Sequence, residues 1–157
     1  MHIHITRHRQ KPETIDGQLS IDGIHICDCA ENAHTALPPG TYPIAIVHCR
    51  QYARKMPVVC VSDSVSTHAN ANLPSPSPSL CSSCHRRPSV GINTKLPCVC
   101  PMLKPGNGVY HREDGSIIVG EYLVPGCLKH PKTAFANLFD RIRKSAERGH
   151  AITLTIR

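Results

Sequence analysis

Tryptophan is absent, aromatic residues make up only 4 % of the chain and charged residues only 18 %. No apolar run approaches the roughly 18 residues needed to cross a membrane, and the amino-terminal "MHIHITRHRQ" alternates where a secretory signal would carry an apolar core. These absences exclude a membrane-spanning helix and a visible export signal, and point to a cytoplasmic chain. Runs of five or more basic residues are also missing. Although Lys and Arg outnumber Asp and Glu by 18 to 11 and the net charge is +7, the cations are scattered through "RHRQK", "RQYARK", "HRR" and "RIRKSAER" with almost no aromatic interleaving. That pattern argues against a dedicated nucleic-acid surface and leaves an anionic ligand as the partner the charge favours.

What is present reads as globular: 40 % hydrophobic residues over a length of 157, enough to bury one core without help from metal or disulfides. A single domain spanning 1–157 is the expectation. "HIHITR" sets Ile3 and Ile5 on one side and His2, His4 and Thr6 on the other, the period of a half-buried strand. His2 and His4 form a potential metal pair, but an exposed polar strand face explains them as well. In "QLSIDGIHICDC", Asp22-Gly23 between alternating segments predicts a tight hairpin with Leu19, Ile21, Ile24 and Ile26 as its apolar positions. "LPPGTYPIAIVHC" and "MPVVCVSD" read as two further apolar strands.

Phe135, Leu138, Phe139 and Ile142 recur at helical spacing, with Pro131 near the start and Gly149 beyond the end, which predicts an amphipathic helix of about four turns. Its apolar face should cover a sheet that includes Ile3, Ile5, Ile44, Ile46, Val59 and Val61. "AITLTIR" alternates and closes the chain as a strand. The fold class is therefore mainly β within an α+β frame: one antiparallel β-sandwich or barrel-like core, one carboxy-terminal helix, and a Ser/Pro/Cys-rich loop insertion over 64–100.

Nine cysteines are too many to ignore and an odd number for a disulfide framework. "CSSCHRRPSVGINTKLPCVC" holds Cys81, Cys84, Cys98 and Cys100, with His85 beside the first pair. Four thiolates suit a tetrahedral structural zinc, and a loop with little apolar content would benefit from such a cross-link. The second pair is separated by one residue where two is usual, so free thiols and a disulfide stay open. Cys27 and Cys29 repeat the one-residue gap on a predicted strand, where packing on a shared face accounts for them.

Three segments in order, "LPPGTYPI", "GNGVYHREDGSIIVG" and "AFANLFDRI" with the closing strand, resemble a bacterial and phage domain family of unknown function. The core motif of that family is similar to the L,D-transpeptidase signature, in which a His and a following Gly-Cys set a thiolate beside its base. The resemblance implies an L,D-transpeptidase-like core over the chain outside 64–100, and a cell-wall peptide as one candidate ligand. Gly115 matches the signature glycine and Ser116 falls where the nucleophilic Cys would stand. Lys104 falls at the family His, while Gly106 and Asn107 match the Gly-Asn that follows.

Both catalytic positions thus depart from the pattern. A serine needs an adjacent base and an oxyanion hole before it reacts, whereas a thiolate is nucleophilic by itself. Loss of catalysis and survival as a binding or accessory module, with Lys104 and Asn107 as ligand-binding residues, is the leading expectation. The enzymatic alternative is a peptidase or transpeptidase in which His111 or Asp114 assists Ser116, or in which Cys127 acts with His130 as its base at the start of the helix. A zinc-stabilised basic nucleic-acid module is the third. If the four cysteines hold one ion, purified protein should carry about one zinc per chain and Cys98→Ser should release it; metal analysis that finds none, with all four thiols freely reactive, removes the zinc reading.

Overall fold

A computed structural model describes residues 1–49, 52–61, 101–109 and 114–157. Among the described residues, nine strands and one helix follow in chain order: β1 His2–Gln10, β2 Thr14–Ile21, β3 Ile24–Asn32, β4 Gly40–Cys49, β5 Arg54–Val59, β6 Leu103–Pro105, β7 Ile117–Val124, β8 Cys127–Lys129, α1 Pro131–Glu147 and β9 Thr153–Ile156. The sheet runs β5-β4-β9-β1-β2-β3-β7-β6, with β8 paired to β7 outside that path. An antiparallel bridge from Val58 to Met102 and a 2.8 Å hydrogen bond from Val59 N to Pro101 O bring the two edges together. The sheet is thereby a nearly closed barrel, and the fold is mainly β with one carboxy-terminal helix. Most pairings are antiparallel; β1 with β9 and β6 with β7 run parallel.

Side-chain alternation sets the interior. Ile3 stands opposite Ile21 and Leu154, and Ile5 opposite Leu19 and Ile156, all six buried. Asp22 and Gly23 both adopt positive φ, 49° and 86°, the primed turn that suits the right-handed twist of a two-residue hairpin. Asp22 Oδ1 also accepts the His2 N–H at 2.9 Å, tying the hairpin tip to the start of β1. Ile24 departs from expectation: beside that turn it is 66 % exposed, although Ile21 opposite it is buried.

One end of the interior is polar. Arg7, opposite Gly17 in the register, extends to the fully buried Glu31 of β3 where the glycine leaves no side chain in the way. Nε and Nη2 of Arg7 donate to the two Glu31 oxygens at 2.8 and 2.9 Å, and Nη2 also donates to Leu37 O at 2.6 Å. The fork geometry satisfies both carboxylate oxygens, which is what makes burial of that charge tolerable.

The helix starts at Pro131 as expected, and Gly149 ends it with φ 74°, its N–H donating to Ala146 O at 2.9 Å. Phe135, Leu138, Ile142 and Ser145 are the buried stripe. Two expectations need correcting. Phe139 is only half-buried, since it stacks on Phe135 with centroids 5.6 Å apart at the margin of the packed face. The helix packs on β7 and β6, touching β3 and β5 at its edges, so Ile3 and Ile5 of β1 and Ile44 and Ile46 of β4 join the same core without lying in the strands it chiefly covers, while Val59 belongs to β5, which the helix does touch, and Val61 joins that core as well. Accordingly, Leu138→Ala should cost about 2–5 kcal/mol in chemical denaturation, and Phe139→Ala distinctly less. The reverse order would mean that the helix is rotated on the sheet. Arg7→Met should cost about 3–5 kcal/mol by leaving Glu31 buried and unpaired.

Candidate functional site

The parallel pair β6–β7 has two different faces. Leu103 stands opposite Ile117 and Pro105 opposite Val119, while Lys104 stands opposite Ile118 between them. Leu103, Ile117 and Val119 belong to the main core, whereas Ile118 packs with Ala30, Val109 and Leu128 in a second, smaller one. Successive strand residues point to opposite faces, so Lys104 lies on the outer side with that small cluster. It is nevertheless 2 % exposed.

Lys104 Nζ donates to Asp114 Oδ2, and the other carboxylate oxygen accepts the Ser116 backbone N–H at 3.0 Å. Gly115 lies between Asp114, the acceptor, and Ser116, whose N–H donates to it, at φ 67°, and a Cβ there would stand 3.0 Å from Thr35 O, so the turn that aims Asp114 at Lys104 favours glycine. Burial alone would push the Asp114 carboxyl up. The hydrogen bonds from Lys104 and from the Ser116 N–H, with the ammonium charge, outweigh it and hold the carboxyl below its ordinary range. Ser116 itself is 2 % exposed, and its Oγ accepts the Met102 N–H at 3.2 Å. The Ser116 hydroxyl thus links the start of β6 to the start of β7.

The other expected site residues are more dispersed. Asn107 Nδ2 donates to Leu128 O at 3.2 Å and the Asn107 backbone carbonyl accepts the Leu128 N–H at 2.9 Å, clamping β8. Cys127 is half-buried in β8, bridged through its backbone to Gly108. His130 is exposed and occupies the position before the helix at φ 50° and ψ 38°, with no side-chain cap. No hydrogen bond joins its ring to Cys127 among the described residues. Gly126, at φ 72°, forms the turn between β7 and β8, where a Cβ would collide with the Thr14 side chain. His111 and the candidate zinc ligands Cys81, Cys84, Cys98 and Cys100 lie outside the described residues. Among the described ones, no group of three or more His, Cys, Asp or Glu is placed to hold a metal ion, and no helix is long and apolar enough to cross a membrane.

Cys27 and Cys29 share the interior face of β3. Burial and then the Asp28 charge push the Cys27 thiol up to about 12, and burial with the Glu31 charge pushes Cys29 up as well, so both stay protonated and unreactive at neutral pH.

One concavity escaped the sequence reading. A cleft of about 420 Å³ opens between α1 and the ends of β5 and β6, lined by Arg54, Pro105, Lys132, Phe135, Ala136, Phe139, Asp140 and Arg143. Its helical wall follows the spacing 132, 136, 139, 143, a stripe beside the buried one. That periodicity was visible in the sequence. The opposite wall comes from residues remote in the chain and was not.

Removing one member of the buried pair tests its weight: Lys104→Ala should destabilise by about 2 kcal/mol, less than a fully enclosed pair because Asp114 keeps partial access to water. The acid limb gives the sign. A carboxyl held below its ordinary value stabilises the fold above the unfolded-state pKa and loses that contribution as pH falls through the folded one. Asp114→Asn should therefore flatten the decline in stability on acidification, as read from thermal melts across the carboxylate range. Equal acid slopes in the two proteins would detach the pair from stability. No family model, curated protein or solved structure matches the chain.

Proposed function

We propose that the chain is a catalytically degenerate domain with an L,D-transpeptidase-like core, acting as a binding or accessory module for an anionic ligand. The observation that carries this reading is the Lys104–Asp114 pair. At the position of the signature base stands an ammonium paired with a carboxylate, and at the position of the nucleophile stands a buried hydroxyl that accepts a backbone N–H. A protonated lysine has no lone pair to take the serine proton. Asp114, the other neighbour, is a weakened base because its carboxyl is held below the ordinary range. The net charge of +7 favours an anionic partner, and a cell-wall peptide fits that chemistry through its carboxylates.

The experiment is covalent. Incubated with a serine-directed phosphonate, the protein should show no adduct at Ser116 by mass spectrometry, and Ser116→Ala should leave ligand retention unchanged. An adduct at Ser116 that disappears in Lys104→Met or His111→Ala would replace this reading with that of a working serine enzyme.

A further inference from the structure

We infer that the cleft between α1 and the β5/β6 ends is a binding site for a small anionic ligand with a flat apolar body, of the aryl phosphate or aryl carboxylate class. The inference takes its role from the binding-module reading and its chemistry from the cleft alone. Its volume of about 420 Å³ falls within the range of small-molecule sites. Three cationic side chains line it against one carboxylate, Asp140. That carboxylate is already engaged: it accepts from Arg143 Nη2 at 2.9 Å and pairs with Lys144 Nζ at 2.6 Å, while Arg143 also donates to Glu147 at 2.8 Å. Arg54 and Lys132 form no ion pair among the described residues, so their charges are available to a ligand.

The apolar part is equally specific. The Arg54 guanidinium lies 5.0 Å from the Phe135 ring centroid, and Phe139 stacks on Phe135 within 7° of parallel. Phe135 is buried and serves as the floor, whereas Phe139 and Pro105 are half-buried and Ala136 is exposed. A planar ring can lie on this ledge while its anionic group reaches Arg54 and Lys132. A guanidinium already held against a ring face loses less freedom on binding an anion than a free one does. Pro105 also places the cleft on the face of β6 opposite Lys104, so ligand binding leaves the buried pair untouched.

The test is an NMR titration of the full chain with phenyl phosphate, with inorganic phosphate and phenol as the two halves of the probe. Saturable shifts should centre on Arg54, Lys132, Phe135 and Phe139, with phenyl phosphate binding at least about tenfold more tightly than either half. Lys132→Glu should weaken it by about tenfold or more, since it replaces attraction by repulsion at an exposed helix position. Ala136→Phe, which fills the cleft from an exposed site, should abolish it, with thermal melts of both variants establishing that they are folded. Shifts centred elsewhere, no saturation at millimolar phenyl phosphate, equal binding of inorganic phosphate, or unchanged binding in the folded variants each overturns the site. None of these outcomes bears on Ser116 labelling, so failure of the cleft and failure of the non-catalytic reading are separate results.

Discussion

An ammonium group buried in a β-sheet must be matched, and much of the local architecture around β6 and β7 follows from how Lys104 is matched. Its partner Asp114 comes from the turn that leads into β7, and that turn in turn needs a residue of positive φ at Gly115. The carboxylate then holds the Ser116 N–H, and the Ser116 hydroxyl holds the Met102 N–H where β6 begins. Four residues are fixed by one charge. The same arrangement that secures two parallel strands therefore also determines which chemistry is open to the Ser116 hydroxyl.

Charge is managed differently around the buried Glu31. Arg7 and Glu31 meet as a fork and a carboxylate, with Leu37 O taking a further donor, so every oxygen of the buried anion is served by the cation itself. Lys104 offers only a point charge, and its partner Asp114 takes the Ser116 backbone N–H on its second oxygen. The first arrangement is self-contained; the second depends on a turn being correctly formed.

Local signals in the sequence carried most of the strands. The alternation of Ile3 and Ile5, the Asp22-Gly23 turn, the Pro131 start and the Gly149 stop each depend on neighbours within a few residues, and each is found where the pattern placed it. Long-range partners were not legible. Nothing in "AITLTIR" distinguishes a strand that lies parallel to β1 from one that pairs only antiparallel, and nothing near Lys104 announces that Asp114 will neutralise it. Phe139 and Ile24 show the limit on the local scale: periodicity assigns a residue to a face, but the edge of that face is set by what the rest of the chain covers. The helix's second stripe, Lys132 to Arg143, could be read from spacing, yet it became a cleft only because Arg54 and Pro105 stand across from it.

The junction between Val58 and Met102 has a consequence for how freely this protein can change. Strand β5 leaves it and the chain returns to it, since Val59 N and Pro101 O are hydrogen-bonded at 2.8 Å on either side of the stretch 62–100. A loop whose two ends are fixed side by side is closed at an entropic cost that grows only logarithmically with length, about 0.6 kcal/mol for each doubling. The barrel is thus nearly indifferent to how many residues are threaded between those two points. The closure cost therefore sets only a weak limit on the length of that stretch, and Val59 and Pro101 mark the points at which a change of length enters the barrel.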